Sequence, residues 1–167
     1  LIMPIFENGP VKIHYEEAGS GVPLLVIPGG GLNATIAGLD NHAFNPLTEC
    51  SDTYRVIALV LRNANSGQTE GPVEIERTWD GFVDDQLALM DHLGIDRFMV
   101  MGFCIGGPMI WNLLKHAGDR VAAATLVHPS GYTSSHPNIY YNNNMKGWAP
   151  EFTKRRPEYT MEMMSEY

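Results

Sequence analysis

The stretch MVMGFCIGG, Met99 to Gly107, decides how the rest of the chain is read. An apolar run ends at a cysteine set between glycines, Gly102 two residues before Cys104 and Gly106 two after it. A strand that passes into a helix through one very tight turn needs this spacing. The residues flanking the apex come so close that side chains there would clash, and the apex itself is strained. The next stretch, GGPMIWNLLKHAGDRV, has the pattern of a helix. Pro108 is tolerable only in its first turn, Lys115 and His116 suit its C-terminal dipole, and Gly118 closes it. The residues from Met99 to Gly118 therefore predict strand, elbow and helix, with Cys104 at the apex. Two readings of the cysteine stand side by side. It is a nucleophile whose thiolate the helix N-terminus favours, or a small buried hydrophobe packed under a helix.

Working outward, Phe98 to Phe103 is one of four short continuous apolar runs. The others lie in PLLVIPGGG (Pro23–Gly31), YRVIALVLR (Tyr54–Arg62) and AAATLVHPS (Ala122–Ser130). Runs of this kind suit strands covered on both faces in a parallel sheet. VKIHYEEAG (Val11–Gly19) alternates and then meets Gly19 and Gly21, which predicts an outer strand and turn. TWDGFVDDQLALMDHLGI (Thr78–Ile95) puts Trp79, Phe82, Val83, Leu87, Met90 and Leu93 on one helical face, with Thr78 as cap and Gly94 as end. Asp84 and Asp85 read as its solvated face. Strands alternating with helices mean an α/β fold, a mostly parallel sheet with flanking helices. After Ser130 the chain turns polar, aromatic and methionine-rich, with Pro137, Pro150 and Pro157. That predicts a loop and one or two short helices outside the main sheet. The organisation expected is a core over residues 1–131 and the start of a cap segment over 132–167.

The 167 residues suffice for one domain with a real core. A net charge of −8 disfavours nucleic acid and anionic membranes as partners. No apolar run is long enough to span a bilayer, and LIMPIFENGP lacks the basic and apolar regions of a secretory signal. Two cysteines, Cys50 and Cys104, make no disulfide framework, so the expected setting is reducing and cytoplasmic. With no G-x-G-x-x-G and no G-K-[ST], the glycines do not read as a phosphate or dinucleotide loop. Neither a cofactor nor a metal is expected.

If Cys104 attacks a carbonyl, the backbone N–H of Ile105 faces the oxyanion that forms. A second donor is expected from the glycine run after the earlier buried strand, Gly30 first and Gly31 second, because glycines let the backbone approach a ligand. The competing reading of that run is a plain strand-to-loop turn. A thiol nucleophile also calls for a histidine, and an acid to orient it. Of the six histidines, His14 lies on the outer strand, His92 and His116 near helix ends, His42 and His136 in loops. Only His128 comes after a buried strand at the sheet edge where a site should form, and it is the candidate base.

With IPGGG, RVIALVLR and MGFCIGG in this order and spacing, the chain resembles the α/β-hydrolase superfamily from about Val11 to Ser130. The resemblance implies Cys104 as nucleophile, Ile105 and Gly30 as oxyanion donors, and the start of a lid after Ser130. It implies hydrolysis of an ester, thioester or lactone, with a small acyl or lactone molecule as the partner. The form G-x-C-x-G-G looks like the cysteine elbow of dienelactone hydrolases. There are departures. Pro28 stands where many relatives have histidine, and Val60, Asn63 and Asn65 stand in the turn that is often D-x-R-G-x-G. GQTEGP and NNMKGW are similar to stretches of the N-myc downstream-regulated proteins, which share the fold and are regarded as non-enzymatic. That likeness implies the alternative, a binding or regulatory protein. Superfamily sheets continue through about two further strands carrying the acid and the histidine. The chain is thus expected to be the N-terminal portion of a longer protein, lacking the C-terminal strands. The competing expectation is a minimal fold closed by a partner chain along the edge of the last strand. Met161, Met163 and Met164 read either as a lid surface over the substrate or as an ordinary packed helix face.

Overall fold

The computed structural model describes residues 4–167. Strands β1 (Ile5–Asn8), β2 (Val11–Ala18) and β3 (Val22–Ile27) are succeeded by the short helix α1 (Pro46–Glu49), β4 (Tyr54–Leu59) and helix α2 (Thr78–His92). Next come β5 (Phe98–Phe103), α3 (Gly106–Ala117), β6 (Val121–Val127) and the helices α4 (Ile139–Gly147), α5 (Ala149–Arg155) and α6 (Met161–Glu166). The strands form one sheet in the order β1-β2-β4-β3-β5-β6. β4, β3, β5 and β6 are parallel, and β1 and β2 join antiparallel at one side.

The continuous apolar runs form strands because both of their faces are covered. Along β3, Leu25 and Ile27 point into a core shared with α2 and α3, while Leu24 and Val26 point into a second core with Ile36, Leu39 and Phe103. This is the period-two alternation of a pleated strand, with both phases apolar. α2 ends as expected. Gly94 takes a left-handed φ of 68°, its N–H donates to Asp91 O at 3.0 Å, and Ile95 N–H reaches back to Met90 O at 2.9 Å.

Several expectations need correction. VKIHYEEA is the second strand from the edge, because the short strand IFEN pairs outside it. β4 ends at Leu59, although Val60 to Arg62 continue as buried chain. Thr78 is the first helical residue of α2 and not its cap. A 3₁₀ turn at Ile75–Arg77 precedes it, and its hydroxyl donates back to Glu74 O and Ile75 O at 3.1 and 3.3 Å. Gly118 ends α3 with φ −62°, running directly into a 3₁₀ turn without a left-handed cap. Trp79 lies largely exposed, whereas Asp85 is buried. The reason is Arg62, which comes off the end of β4 beneath α2. Its Nε and Nη2 donate to the two carboxylate oxygens of Asp85 at 2.8 and 2.6 Å, and its Nη1 donates to Glu74 at 2.7 Å. Asp84 stays at the surface and pairs with Arg77. The segment after Ser130 forms three short helices. Trp148, Phe152 and Met164 belong to the same apolar core as the sheet. β6 forms the far edge, with Ala122 to Thr125 exposed, so this strand is not covered on both faces as its apolar run predicts.

Candidate active site

The sheet order places β5 beside β3 and β6, so their C-terminal ends converge. Register pairs Ile27 with Gly102 and Phe103 with Val127. The glycine run, the Cys104 turn and the His128–Ser130 segment therefore emerge side by side.

Cys104 has φ 52°, in the left-handed region that a non-glycine residue rarely enters. The strain is held from several directions. Its N–H donates to Val127 O at 3.1 Å, and its carbonyl accepts from Gly107 N–H and Ser130 N–H, both at 3.0 Å. A Cβ on Gly102 would lie 2.7 Å from the backbone of Gly106, and one on Gly106 would lie 2.9 Å from the carbonyl of Ile27, so each position around the apex needs glycine for its own reason. The strand, elbow and helix expected from the sequence are all present.

A cavity of about 600 Å³ opens over the apex, lined among others by Gly30, Gly31, Cys104, Ser130, Tyr140 and Asn144. Among the described residues, no charged side chain lines it. Among the described residues, no turn or loop hydrogen bond uses the N–H of Ile105, Gly30 or Gly31. The next amide of the run, Leu32 N–H, is taken by Asn144 Oδ1 at 3.3 Å. Cys104 Sγ lies 2.9 Å from Ser130 Oγ. The Tyr140 hydroxyl is buried and has no hydrogen-bond partner. Burial, and then the neighbouring Cys104, raise its pKa well above that of an ordinary phenol. A second, apolar chamber of about 410 Å³ adjoins the first and shares Tyr140, Asn144 and Trp148 with it. Met164 lines this chamber, while Met161 is exposed and Met163 packs on the core. Of the methionine cluster, one member alone faces the chamber.

His128 comes directly after β6, with φ 35° and an exposed ring. The structure brings a second histidine to the same place. His42 stacks on Phe103 at 4.7 Å between centroids and lies 5.5 Å from His128. A Cβ on Gly29 would lie 2.9 Å from His42 Nε2 and 3.1 Å from Cys104 Cβ, so glycine is what lets the imidazole approach the elbow. Burial, and then the neighbouring His128, lower the His42 pKa. The remaining histidines lie elsewhere. His14 is buried in β2, His92 stacks on Phe6, His116 meets Asp80 at 2.9 Å, and His136 bonds Ser135.

Ser130, Tyr140, Asn144 and His42 are site neighbours that sequence reasoning missed. Ser130 carried a usable signal, since it closes the stretch AAATLVHPS, whose strand β6 lies next to β5. The other three arrive through long-range packing. The asparagines that depart from the superfamily turn also have an account. Asn63 holds φ 64°, a conformation glycine usually supplies, and its Oδ1 accepts from Gly71 N–H at 3.1 Å. Asn65 Nδ2 donates to Trp148 O at 3.1 Å, and Trp148 Nε1 donates to Asn63 O at 2.9 Å. These bonds dock the α4–α5 junction over the cavity.

The strand order and the elbow define an α/β-hydrolase core. The family model described as alpha/beta hydrolase fold matches residues 22–164, and the chain belongs to that family. It is 32% identical over 126 residues to a 2-hydroxy-6-oxo-6-phenylhexa-2,4-dienoate hydrolase of Comamonas testosteroni, covering 74% of this chain and 42% of that protein. It is 26% identical over 132 residues to carboxylesterase YbfK of Bacillus subtilis, covering 77% and 42%. An epoxide hydrolase mutant of Vigna radiata superposes with a TM-score of 0.64 at 26% identity, over 86% of this chain and 44% of that one. The chain spans less than half the length of these relatives. Their names are those of hydrolases, and the non-catalytic reading draws no support from them. Among the described residues, no helix is long and apolar enough to cross a membrane.

Proposed function

We propose that this chain carries the nucleophile half of a hydrolase acting on an ester, thioester or lactone, with Cys104 as the attacking group. In this reading the thiolate adds to the substrate carbonyl, and the oxyanion that forms is held by the N–H groups of Ile105 and Gly30, with Gly31 beside them. The C–O or C–S bond then breaks, leaving an acyl-Cys104 that water hydrolyses. His128 is the candidate within this chain for protonating the leaving group. The observation that carries the reading is the strained apex itself. A left-handed cysteine, fixed by three backbone hydrogen bonds and open to a cavity beside uncommitted amides, fits a nucleophile better than a packing residue. Cys50 is the internal control, because burial, and then the charge of Glu49, raise its thiol pKa. Brief incubation with p-nitrophenyl esters and acyl thioesters, then mass mapping, should place an acyl adduct on Cys104 and none on Cys50. Cys104→Ala should abolish both adduct and turnover. Turnover that survives Cys104→Ala would exclude the thiol as nucleophile.

A further inference from the structure

The cavity poses a charge problem. Among the described residues, a thiolate at Cys104 faces no lysine, arginine or other cationic side chain in the lining, whose titratable groups are Cys104 itself and Tyr140. The nearby histidines, His42 behind Gly29 and His128 after β6, do not line it. An anion in a partly enclosed site without a counter-charge requires hydrogen-bond donors aimed at it. Two hydroxyls supply that need. Ser130 Oγ lies 2.9 Å from Sγ and is fixed there because Ser130 N–H is bonded to the Cys104 carbonyl. The Tyr140 hydroxyl, brought in by α4, shares the cavity wall with Cys104 and, among the described residues, is the buried polar atom of that wall without a partner. A tyrosine hydroxyl in an apolar wall normally finds a partner.

We propose that Ser130 and Tyr140 form a hydroxyl cradle that holds Cys104 as a thiolate. The inference rests on the reading of Cys104 as nucleophile and assigns the two residues a positioning role in it. The thiol proton leaves to solvent, while Ser130 and Tyr140 keep theirs and donate hydrogen bonds to the sulfur. Tyr140 suits this duty because its environment keeps the phenol protonated. α4 thereby becomes part of the chemistry of the elbow as well as its cover, and the bonds from Asn65, Trp148 and Asn144 hold the phenol in place.

The test is the pH dependence of iodoacetamide alkylation of Cys104, read by peptide mass mapping on the purified chain. Tyr140→Phe and Ser130→Ala each remove one hydroxyl and little else. Each should move the half-maximal pH of alkylation upward by about one unit, roughly a tenfold loss of thiolate below the midpoint. The double variant should move it further. Wild-type midpoints in both single variants, with circular dichroism unchanged, would overturn the cradle. So would a midpoint that responds only to replacement of His42 or His128, since an imidazole would then hold the charge. Alkylation needs no substrate. If the midpoints shift while no acyl adduct forms on Cys104 with p-nitrophenyl esters or acyl thioesters, the cradle stands and the hydrolase reading falls.

Discussion

The polar clusters around Arg62 and around Cys104 use their hydrogen bonds in opposite ways. Around Arg62 every strong donor is committed. The guanidinium bonds Asp85 twice, Glu74 once and the Gly81 carbonyl once. Burial works against its charge, but its hydrogen bonds to Asp85 and Glu74 and their negative charges outweigh this and hold Arg62 above its ordinary pKa. Around Cys104, among the described residues, the groups are left open: the amides of Ile105, Gly30 and Gly31, an unpartnered phenol and a strained apex. A buried ion pair whose valences are filled fixes the packing of α2 on the sheet. A site whose valences are open is stabilised by its surroundings and remains available to a ligand. On the proposed reading of Cys104, the difference separates a structural polar cluster from a functional one without reference to any relative.

The comparison breaks first, and with the largest effect, at Arg62. Arg62→Met leaves Asp85 buried without its partner and should cost about 3–5 kcal/mol, read as a lower urea midpoint. A loss under about 1 kcal/mol would mean that the Asp85 carboxylate finds water or another donor, and the cluster would lose its structural reading. Next comes Gly102→Ala. The new methyl would overlap the Gly106 backbone from 2.7 Å, costing about 1–3 kcal/mol. It should also slow alkylation of Cys104, because the turn that presents the thiol is forced open. Stability loss with unchanged alkylation would detach the geometry of the elbow from the exposure of its apex.

Legibility in the residues depends on how local each constraint is. The elbow was readable because its requirements lie within five consecutive positions, Gly102 to Gly106. The buried strands were readable because both faces needed apolar residues. β1 was not, since a four-residue edge strand with largely exposed side chains carries no pattern. Asp84 and Asp85 are chemically identical neighbours. Which one is buried depends on where Arg62 arrives from β4, and no local signal records that. Tyr140 and Asn144 reach the site through the docking of α4, whose sequence shows little amphipathic pattern. Asn63 was partly readable. Asparagine is the residue that best replaces glycine at positive φ, so its place in a turn that is often glycine is a sign that the backbone keeps the same shape.

Cys104→Gly inverts the sign of the first two substitutions. Glycine occupies φ 52° without a steric penalty, whereas a side chain there costs about 1–2 kcal/mol. The greater freedom of glycine in the unfolded chain returns about 0.5–1 kcal/mol of that. The variant should therefore be more stable than the parent by about 0.5 kcal/mol in urea melts while losing every Cys104 adduct. A clear loss of stability would mean that the thiol packs more than it strains, which favours the buried-hydrophobe reading.

The smallest effect separates the two clusters by pH. The Arg62 pair holds a cation that does not titrate in the accessible range, whereas beside the elbow His42 has a folded pKa below its ordinary value of 6.5, through burial first and His128 second. A group whose pKa falls on folding binds protons more readily when unfolded. Its contribution to stability is full above the unfolded value and is lost as the pH falls through the folded one. Stability should thus decline as the pH drops from about 7 through the histidine range, and part of that decline should disappear in His42→Gln. Replacing His128 should shrink the same slope by a smaller amount, because its charge is the lesser of the two causes. Urea melts at about pH 7.5, 6.5 and 5.5, spanning the histidine range, measure it on the three proteins. An identical slope in all three would show that the imidazole of His42 is not held neutral by its place between Gly29 and Phe103.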